Sequence, residues 1–245
     1  MAHLLDLLLL ENPNEDDDPD PYGIISLDMS NAFNEISREL IQDVLNGQAS
    51  RDYALGRIKK GDPLVCPPGL QMHKRHFEAY YGRVGCLTFV GHDGTSHYVP
   101  SSVGIQQGDV WGTTLYCAVT FPILKGILED EGLGGQVLGL GFSDNIQLAG
   151  RLSWGLRAAD LIRQALADVG LRFNDRDSKV YSEVFRRLPD QGASCWDAIQ
   201  LQFPDTPLAR ESQGLMVLGT PIGSDEFRTV ALRDRLERIK TDLPK

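Results

Sequence analysis

Three places in this chain carry residue types whose spacing could do chemistry. Asp28 closes the apolar run Tyr22–Met29, YGIISLDM, and Asp144 lies in the turn of Gly141–Gly150, GFSDNIQLAG. A carboxylate oxygen is a hard ligand, so an acid at a turn or strand end is a candidate partner for a hard cation. Between them, Gly104-Ile105-Gln106-Gln107-Gly108-Asp109 precedes a long apolar helix, where backbone amides and side-chain donors can hold a phosphate or a base. Taken singly, each has a plainer account: a local cap at Asp28, turn chemistry at Ser143-Asp144-Asn145, a capped loop at Gly104–Asp109.

The surrounding elements must position these groups. Tyr22–Met29 lacks the alternation of a half-exposed strand and reads as a central strand covered on both faces. Ser30 or Asn31 can cap the next helix, whose Ile36, Leu40, Ile41, Val44 and Leu45 fall at helical spacing up to Gly47. Gly69–Tyr81 reads as a helix with Leu70, His73, Phe77 and Tyr80 on one face. Val84–Val90 and Ser96–Val103 flank His92-Asp93-Gly94-Thr95, a hairpin signal. Thr113–Leu128 is a long apolar helix. Gln136–Leu140 and the segment after Asn145 form a second hairpin, for which Asp-Asn supplies the residue types that tolerate positive φ. Trp154–Val169 is helical and ends at Gly170. Leu171–Asn174 and Lys179–Phe185 add short strands, and Pro189–Gln213 reads as a long polar insertion.

Composition bounds the rest. With 245 residues and 42% hydrophobic content the chain can bury a substantial core. Four widely spaced cysteines with no CxxC pair suggest free thiols. His73 and His76 lie between Cys66 and Cys86, but their spacing fits no zinc-finger pattern. The formal charge of −10 is concentrated at the start: the first 30 residues hold eight acids and no Lys or Arg, leaving −2 for the remaining 215. Net charge therefore neither supports nor excludes a nucleic-acid partner. Met1–Leu10, MAHLLDLLLL, is too short to span a bilayer and lacks a basic start, and Glu11–Pro21 reads as a solvated acidic linker. Residues 1–21 are thus expected to be an apolar stub and linker, with the folded domain beginning near Tyr22.

In order along the chain, the strand-end acid, the glutamine–glycine loop and the hairpin acid resemble the palm of reverse transcriptases. LDMSNAFN (Leu27–Asn34) is similar to the first palm motif and SVGIQQGDVWGTTLYCAVTFPIL (Ser102–Leu124) to the second. FSDN (Phe142–Asn145) stands where the family has an aromatic, a variable residue and two aspartates. GLRFNDRDSK (Gly170–Lys179) resembles the fourth motif. LMVLGTPIGSDEF (Leu215–Phe227) resembles the fifth motif and the segment after it in non-LTR, LINE-type retrotransposon enzymes.

The resemblance implies an α+β polymerase palm, an antiparallel sheet of split βαβ, ferredoxin-like kind packed on helices, over residues 22–245. It also implies a partial fingers insertion at about 48–101 and a thumb largely absent. The implied activity is RNA-directed DNA synthesis, a nucleotidyl transfer from deoxynucleoside triphosphates onto a DNA primer along an RNA template. Two Mg²⁺ or Mn²⁺ ions would activate the primer 3′ hydroxyl and stabilise the leaving pyrophosphate. By resemblance, Asp28 and Asp144 are metal ligands, with the Met29 carbonyl a further one. Phe33 holds the position of the steric gate against a 2′ hydroxyl, and Gln107 and Gly108 line the nucleotide and template. Lys179 meets the triphosphate as cation or proton donor, although two extra residues separate it from Asn174.

Asn145 departs from the family by replacing the second aspartate, and a neutral amide oxygen binds Mg²⁺ more weakly than a carboxylate. No Lys or Arg precedes Arg38, where a full enzyme has basic fingers strands, so missing fingers and thumb segments or a partner chain are implied. Two alternatives remain: an inactive retrotransposon remnant acting at most as a nucleic-acid-binding or interaction module, and an RNA-templated RNA polymerase. The RNA polymerase fits the first and fifth motifs less well, and Phe33 argues for deoxynucleotides. An intracellular protein is expected, nuclear by family analogy, with no membrane partner.

Overall fold

The structure is a computed structural model that describes residues 2–16, 18–46, 69–106, 108–129 and 132–242. Its elements in chain order are α1 (Ala2–Glu11), β1 (Tyr22–Ser30), α2 (Ala32–Glu35), α3 (Arg38–Leu45), a 3-10 turn (Leu70–His73) leading into α4 (Lys74–Tyr81), β2 (Gly85–Val90), β3 (Ser96–Ser101) and α5 (Gly112–Leu128). There follow β4 (Val137–Phe142), β5 (Asn145–Arg151), α6 (Leu152–Asp168), β6 (Arg172–Phe173), β7 (Lys179–Tyr181), α7 (Glu183–Arg187), α8 (Pro189–Gln200), β8 (Ala209–Glu211), β9 (Gly214–Val217), β10 (Thr220–Gly223) and α9 (Asp225–Asp242). The chain divides into two compact units: the first holds Met1–Asp28, Leu128–Leu161 and Phe173–Lys245, the second Met29–Ile127 and Ile162–Arg172.

The first unit is built on one sheet of order β4-β5-β1-β7-β8, with β6 also pairing to β1. As its unbroken apolar pattern requires, β1 is central, and Ile24, Ile25 and Leu27 are all buried. On one face Gly155 of α6 lets the helix approach Ile25, whose Cδ1 would lie only 3.1 Å from an added Cβ. On the other, Ile24, Ala149 and Tyr181 pack with Leu5, Leu215, Val217 and Ile222. β1 pairs antiparallel with β5 and β7, and β4 with β5, whereas β7 and β8 run parallel, the crossover between them carrying α7 and α8.

Residues 1–21 depart from the expected stub and solvated linker. Leu5 is fully buried in the core. Asn14, also buried, accepts from the Tyr22 amide at 2.5 Å and donates to the Tyr22 carbonyl and to Ser182 Oγ. Arg151 binds Asp18 at 3.0 Å, Arg187 binds Asp16, and Asp20 accepts from the Ser153 amide and hydroxyl. Asp16, Asp18 and Asp20 thus find specific donors on the body, while Glu11, Glu15 and Asp16 stay exposed. The expected polar insertion at 189–213 differs as well: Pro189–Gln200 is helical, with Gly192, Trp196 and Ile199 buried on one stripe.

In the second unit, Ser37 and not Ser30 or Asn31 caps a helix, its Oγ accepting from the Leu40 amide at 3.2 Å. Ser30 is still part of β1, and Asn31 takes a left-handed φ of 47° with no side-chain cap. On α4 the buried aromatics are Phe77 and Tyr81, whereas Tyr80 points outward. Gly47, the expected helix stop, and residues 48–68 of the expected fingers insertion lie outside the described residues. Gly104 has φ 77°, and a Cβ there would meet the Asn34 carbonyl oxygen at 2.3 Å, so only glycine fits this close approach. Arg38 ties the same corner by donating to the Gly104 and Ser101 carbonyls, each at 2.7 Å. Among the described residues no helix is long and apolar enough to cross a membrane.

Candidate active site

Strand pairing brings the first-unit candidates together. β1 and β5 run antiparallel with Ile24 opposite Ala149, Ser26 opposite Gln147 and Asp28 opposite Asn145. Across-strand partners share a face, so this face changes along the strands from the apolar Ile24 level to a polar end at Asp28. β4 and β5 pair up to Phe142 opposite Asn145, leaving Ser143 and Asp144 as a two-residue turn. The turn takes its positive φ at Ser143, 56°, not at Asp144 or Asn145 as the residue types suggested.

Asp28 is half-buried and held through its backbone as well as its side chain. Its amide donates to Ser178 Oγ at 3.1 Å, and its carbonyl accepts from the Asn174 amide at 2.8 Å. Its carboxylate accepts from Asn174 Nδ2 at 3.2 Å, and that same nitrogen donates to Asp177 at 2.5 Å. The Asn174–Ser178 turn therefore clamps the end of β1. Burial pushes the Asp28 carboxyl above the usual carboxylate range; the Asn174 bond opposes this, and the charges of Asp144 and Asp177 reinforce it. Asn145 donates its amide nitrogen to Asp144 Oδ1 at 3.2 Å.

A cleft of about 260 Å³ opens in front of these groups, lined by Ser26, Asp28, Asn145 and Lys179 from the sheet and by Met216 and Phe227 from β9 and α9. Lys179, opposite Ser26 on β7, lines it and is bound by Glu211 at 2.7 Å. Gln147 is buried beneath the polar end and donates to Ser26 Oγ at 2.9 Å, while its Oε1 is buried with no partner among the described residues. Asn174, Ser178, Glu211 and Gln147 thus belong to the site's framework. Of these, Gln147 carried a readable signal, a glutamine inside a strand that is otherwise apolar.

The donor types suit a hard cation: Asp28 and Asp144 offer carboxylate oxygens and Asn145 a neutral one, and a bound cation would offset the burial, and with it the Asp144 and Asp177 charges, that raise the Asp28 carboxyl. Among the described residues no cluster of three or more His, Cys, Asp or Glu forms a ready-made metal cage. Two carboxylates completed by substrate phosphates and water are what Mg²⁺ commonly takes.

The remaining candidates belong to the second unit. Met29 is buried directly after Asp28. Phe33 is half-buried, its ring centroid 5.3 Å from that of Tyr116, and its carbonyl accepts from the Ile105 amide at 2.7 Å. Gly108 is exposed with φ 90° and open space around its Cα, whereas Gln107 lies outside the described residues. Next to it, Asp109 accepts from the Tyr81 hydroxyl at 2.5 Å and from the Trp111 amide at 3.0 Å. Burial, then the bond to Asp109, pushes the Tyr81 hydroxyl up to about 12.

No protein-family model matches the sequence, and a search of curated proteins finds no match. Among solved structures, that of telomerase from Candida albicans in complex with a fragment of telomeric RNA aligns with 74% of this chain and 30% of that chain. The sequence identity is 15% and the TM-score 0.48.

Proposed function

We propose that this chain is a reverse-transcriptase palm derived from a non-LTR retrotransposon, extending a DNA primer on an RNA template with deoxynucleoside triphosphates. The observation that carries the reading is the pairing of Asp28 with Asn145 across adjacent strands. It brings the strand-end acid within electrostatic reach of the turn acid Asp144, and both acids lie in motifs that resemble the palm in order and type.

In this reading the primer 3′ oxygen forms a bond to the α-phosphorus, the α–β phosphoanhydride breaks, and pyrophosphate leaves. Asp28 and Asp144, with the Met29 carbonyl, would hold two Mg²⁺ or Mn²⁺ ions, which supply activation of the 3′ hydroxyl and charge neutralisation on pyrophosphate. Lys179, paired with Glu211 in the free protein, is the cation and proton donor for the leaving group. Phe33, backed by Tyr116, presses on the sugar and rejects a 2′ hydroxyl. By the resemblance, Gln107 and Gly108 would line the nucleotide and template. The site of action is nuclear by the same reading.

A second reading, a non-catalytic module that binds nucleic acid, is favoured by Asn145, whose amide replaces a carboxylate and turns its donor toward Asp144. Primer extension on an RNA template with Mg²⁺ or Mn²⁺ separates the two, using the wild-type chain, Asp28→Ala, Asp144→Ala and Asn145→Asp with folding checked for each. The polymerase reading expects extension that either alanine abolishes. Four folded but silent proteins would leave the second reading in its place, and extension by Asn145→Asp alone would identify Asn145 as the lesion.

A further inference from the structure

The β2–β3 hairpin of the second unit has one guarded edge and one open edge. Its register sets Leu87 opposite Val99, Thr88 opposite Tyr98 and Cys86 opposite Pro100. One step beyond the ladder, the Gly91 amide donates to the Thr95 carbonyl at 2.8 Å, so 91 and 95 form a hydrogen-bonded pair. Such pairs alternate with non-bonded ones along an antiparallel ladder. Residues 85, 87 and 89 therefore direct their backbone groups to β3, while Cys86, Thr88 and Val90 turn theirs outward. On β3 the outward residues are Ser96, Tyr98 and Pro100, and proline has no N–H to offer another strand. Among the described residues no further strand pairs with either edge.

Neither strand, GCLTFV or SHYVPS, contains Lys, Arg, Asp or Glu, in a chain in which 24% of residues are charged. All six residues of β2 are exposed. Edges of this kind are ordinarily guarded by charge, proline or a bulge, because their open donors and acceptors can pair with another strand. The β2 edge has neither charge nor proline. One face adds an apolar row, in which Leu87 is 57%, Phe89 53% and Val99 44% exposed. A two-stranded hairpin is marginal by itself, and more strands with an apolar face are what stabilise such a sheet.

We propose that β2 pairs antiparallel with β2 of a second copy of this chain, joining two hairpins into one four-stranded sheet. The register with Thr88 on the two-fold axis engages every outward group, since Cys86 then pairs with Val90 of the second copy. It also sets Leu87 beside Phe89 of the second copy in a non-bonded pair, where side chains approach most closely. A second copy is the occupant because the two-fold axis matches both the edge and the apolar row to themselves. A charged partner, nucleic acid included, finds no opposite charge on either strand. Pro100 closes the β3 edge, so pairing ends at two copies. The contact is small, which makes the dimer weak and concentration-dependent. The inference is independent of the polymerase reading.

The test is sedimentation velocity of the full chain over a series of concentrations, in reductant to keep the exposed thiol of Cys86 from cross-linking copies. Wild type should shift from monomer toward dimer as concentration rises. Thr88→Pro removes an outward N–H without touching the bonds to β3, and Phe89→Lys puts a guarding charge on the row. Each should weaken association by about tenfold or more, with a melting temperature near that of wild type. Tyr98→Pro, the same change on the guarded edge, should leave the dimer intact. A wild type that stays monomeric at every concentration would overturn the proposal. So would a dimer that survives Phe89→Lys, one lost to Tyr98→Pro as readily as to Thr88→Pro, or growth past two copies. If Thr88→Pro does not fold, Phe89→Lys decides, since it changes an exposed side chain and no backbone group.

Discussion

Asp28 is a carboxylate whose ionisation works against the fold that holds it. Burial and the neighbouring charges of Asp144 and Asp177 raise its folded-state pKa above the unfolded value. The native state therefore keeps this proton to a higher pH than the unfolded chain does. The associated stability is present at low pH and is lost as pH rises through the raised pKa. Asp28→Asn, which retains an oxygen for Asn174, should melt above wild type at pH 7, with the gap closing as pH falls below the carboxylate range. Melting curves from pH 3 to 7 check this, and a less stable Asn variant at pH 7 would contradict it. Asn145→Asp should act oppositely. It removes the donor to Asp144 and adds a further negative charge beside Asp28, Asp144 and Asp177, so it should cost about 1 kcal/mol in EDTA, roughly 2–4 °C for a chain of this size. Mg²⁺ should raise its melting temperature more than that of wild type, which thermal shift measurements with and without the ion would show.

At the scale of elements, α1 is part of the first unit's core and not a stub. Leu5→Ala should cost about 2–5 kcal/mol in urea unfolding, as for other large-to-small changes at fully buried sites; a change under about 0.5 kcal/mol would show that α1 does not pack as described. The elements with long or strongly patterned apolar runs are legible in the sequence: central β1, both hairpins around Asp93 and Asp144, and the long helices α5 and α6. The elements that escape it depend on contacts from distant parts of the chain. The acidic run reads as solvated because the donors to Asp16, Asp18 and Asp20, namely Arg187, Arg151 and Ser153, lie more than 130 residues away. The helix at 189–200 is hidden because it buries only Gly192, Trp196 and Ile199 among polar residues. The two carboxylates of the site can be picked out by type and position. Asn174, Ser178 and Glu211 cannot, since only the packing of β7 and β8 beside β1 brings them to Asp28 and Lys179.

Across the whole molecule, charge is unevenly divided, with the excess of acid in the first unit and a slight excess of base in the second. In the nucleic-acid-binding reading, the affinity for a labelled single-stranded RNA should fall as salt rises, with a slope of log K against log salt of about −0.7 per phosphate contact; a slope near zero in an anisotropy series would contradict that reading. The most direct test of the central claim is run-off extension of a DNA primer on an RNA template in Mg²⁺, comparing wild type with Asp28→Asn. Product from wild type and none from the more stable Asn variant is the result predicted, since loss of function could not then come from loss of fold. Equal extension by the two, or none by a folded wild type, would contradict it.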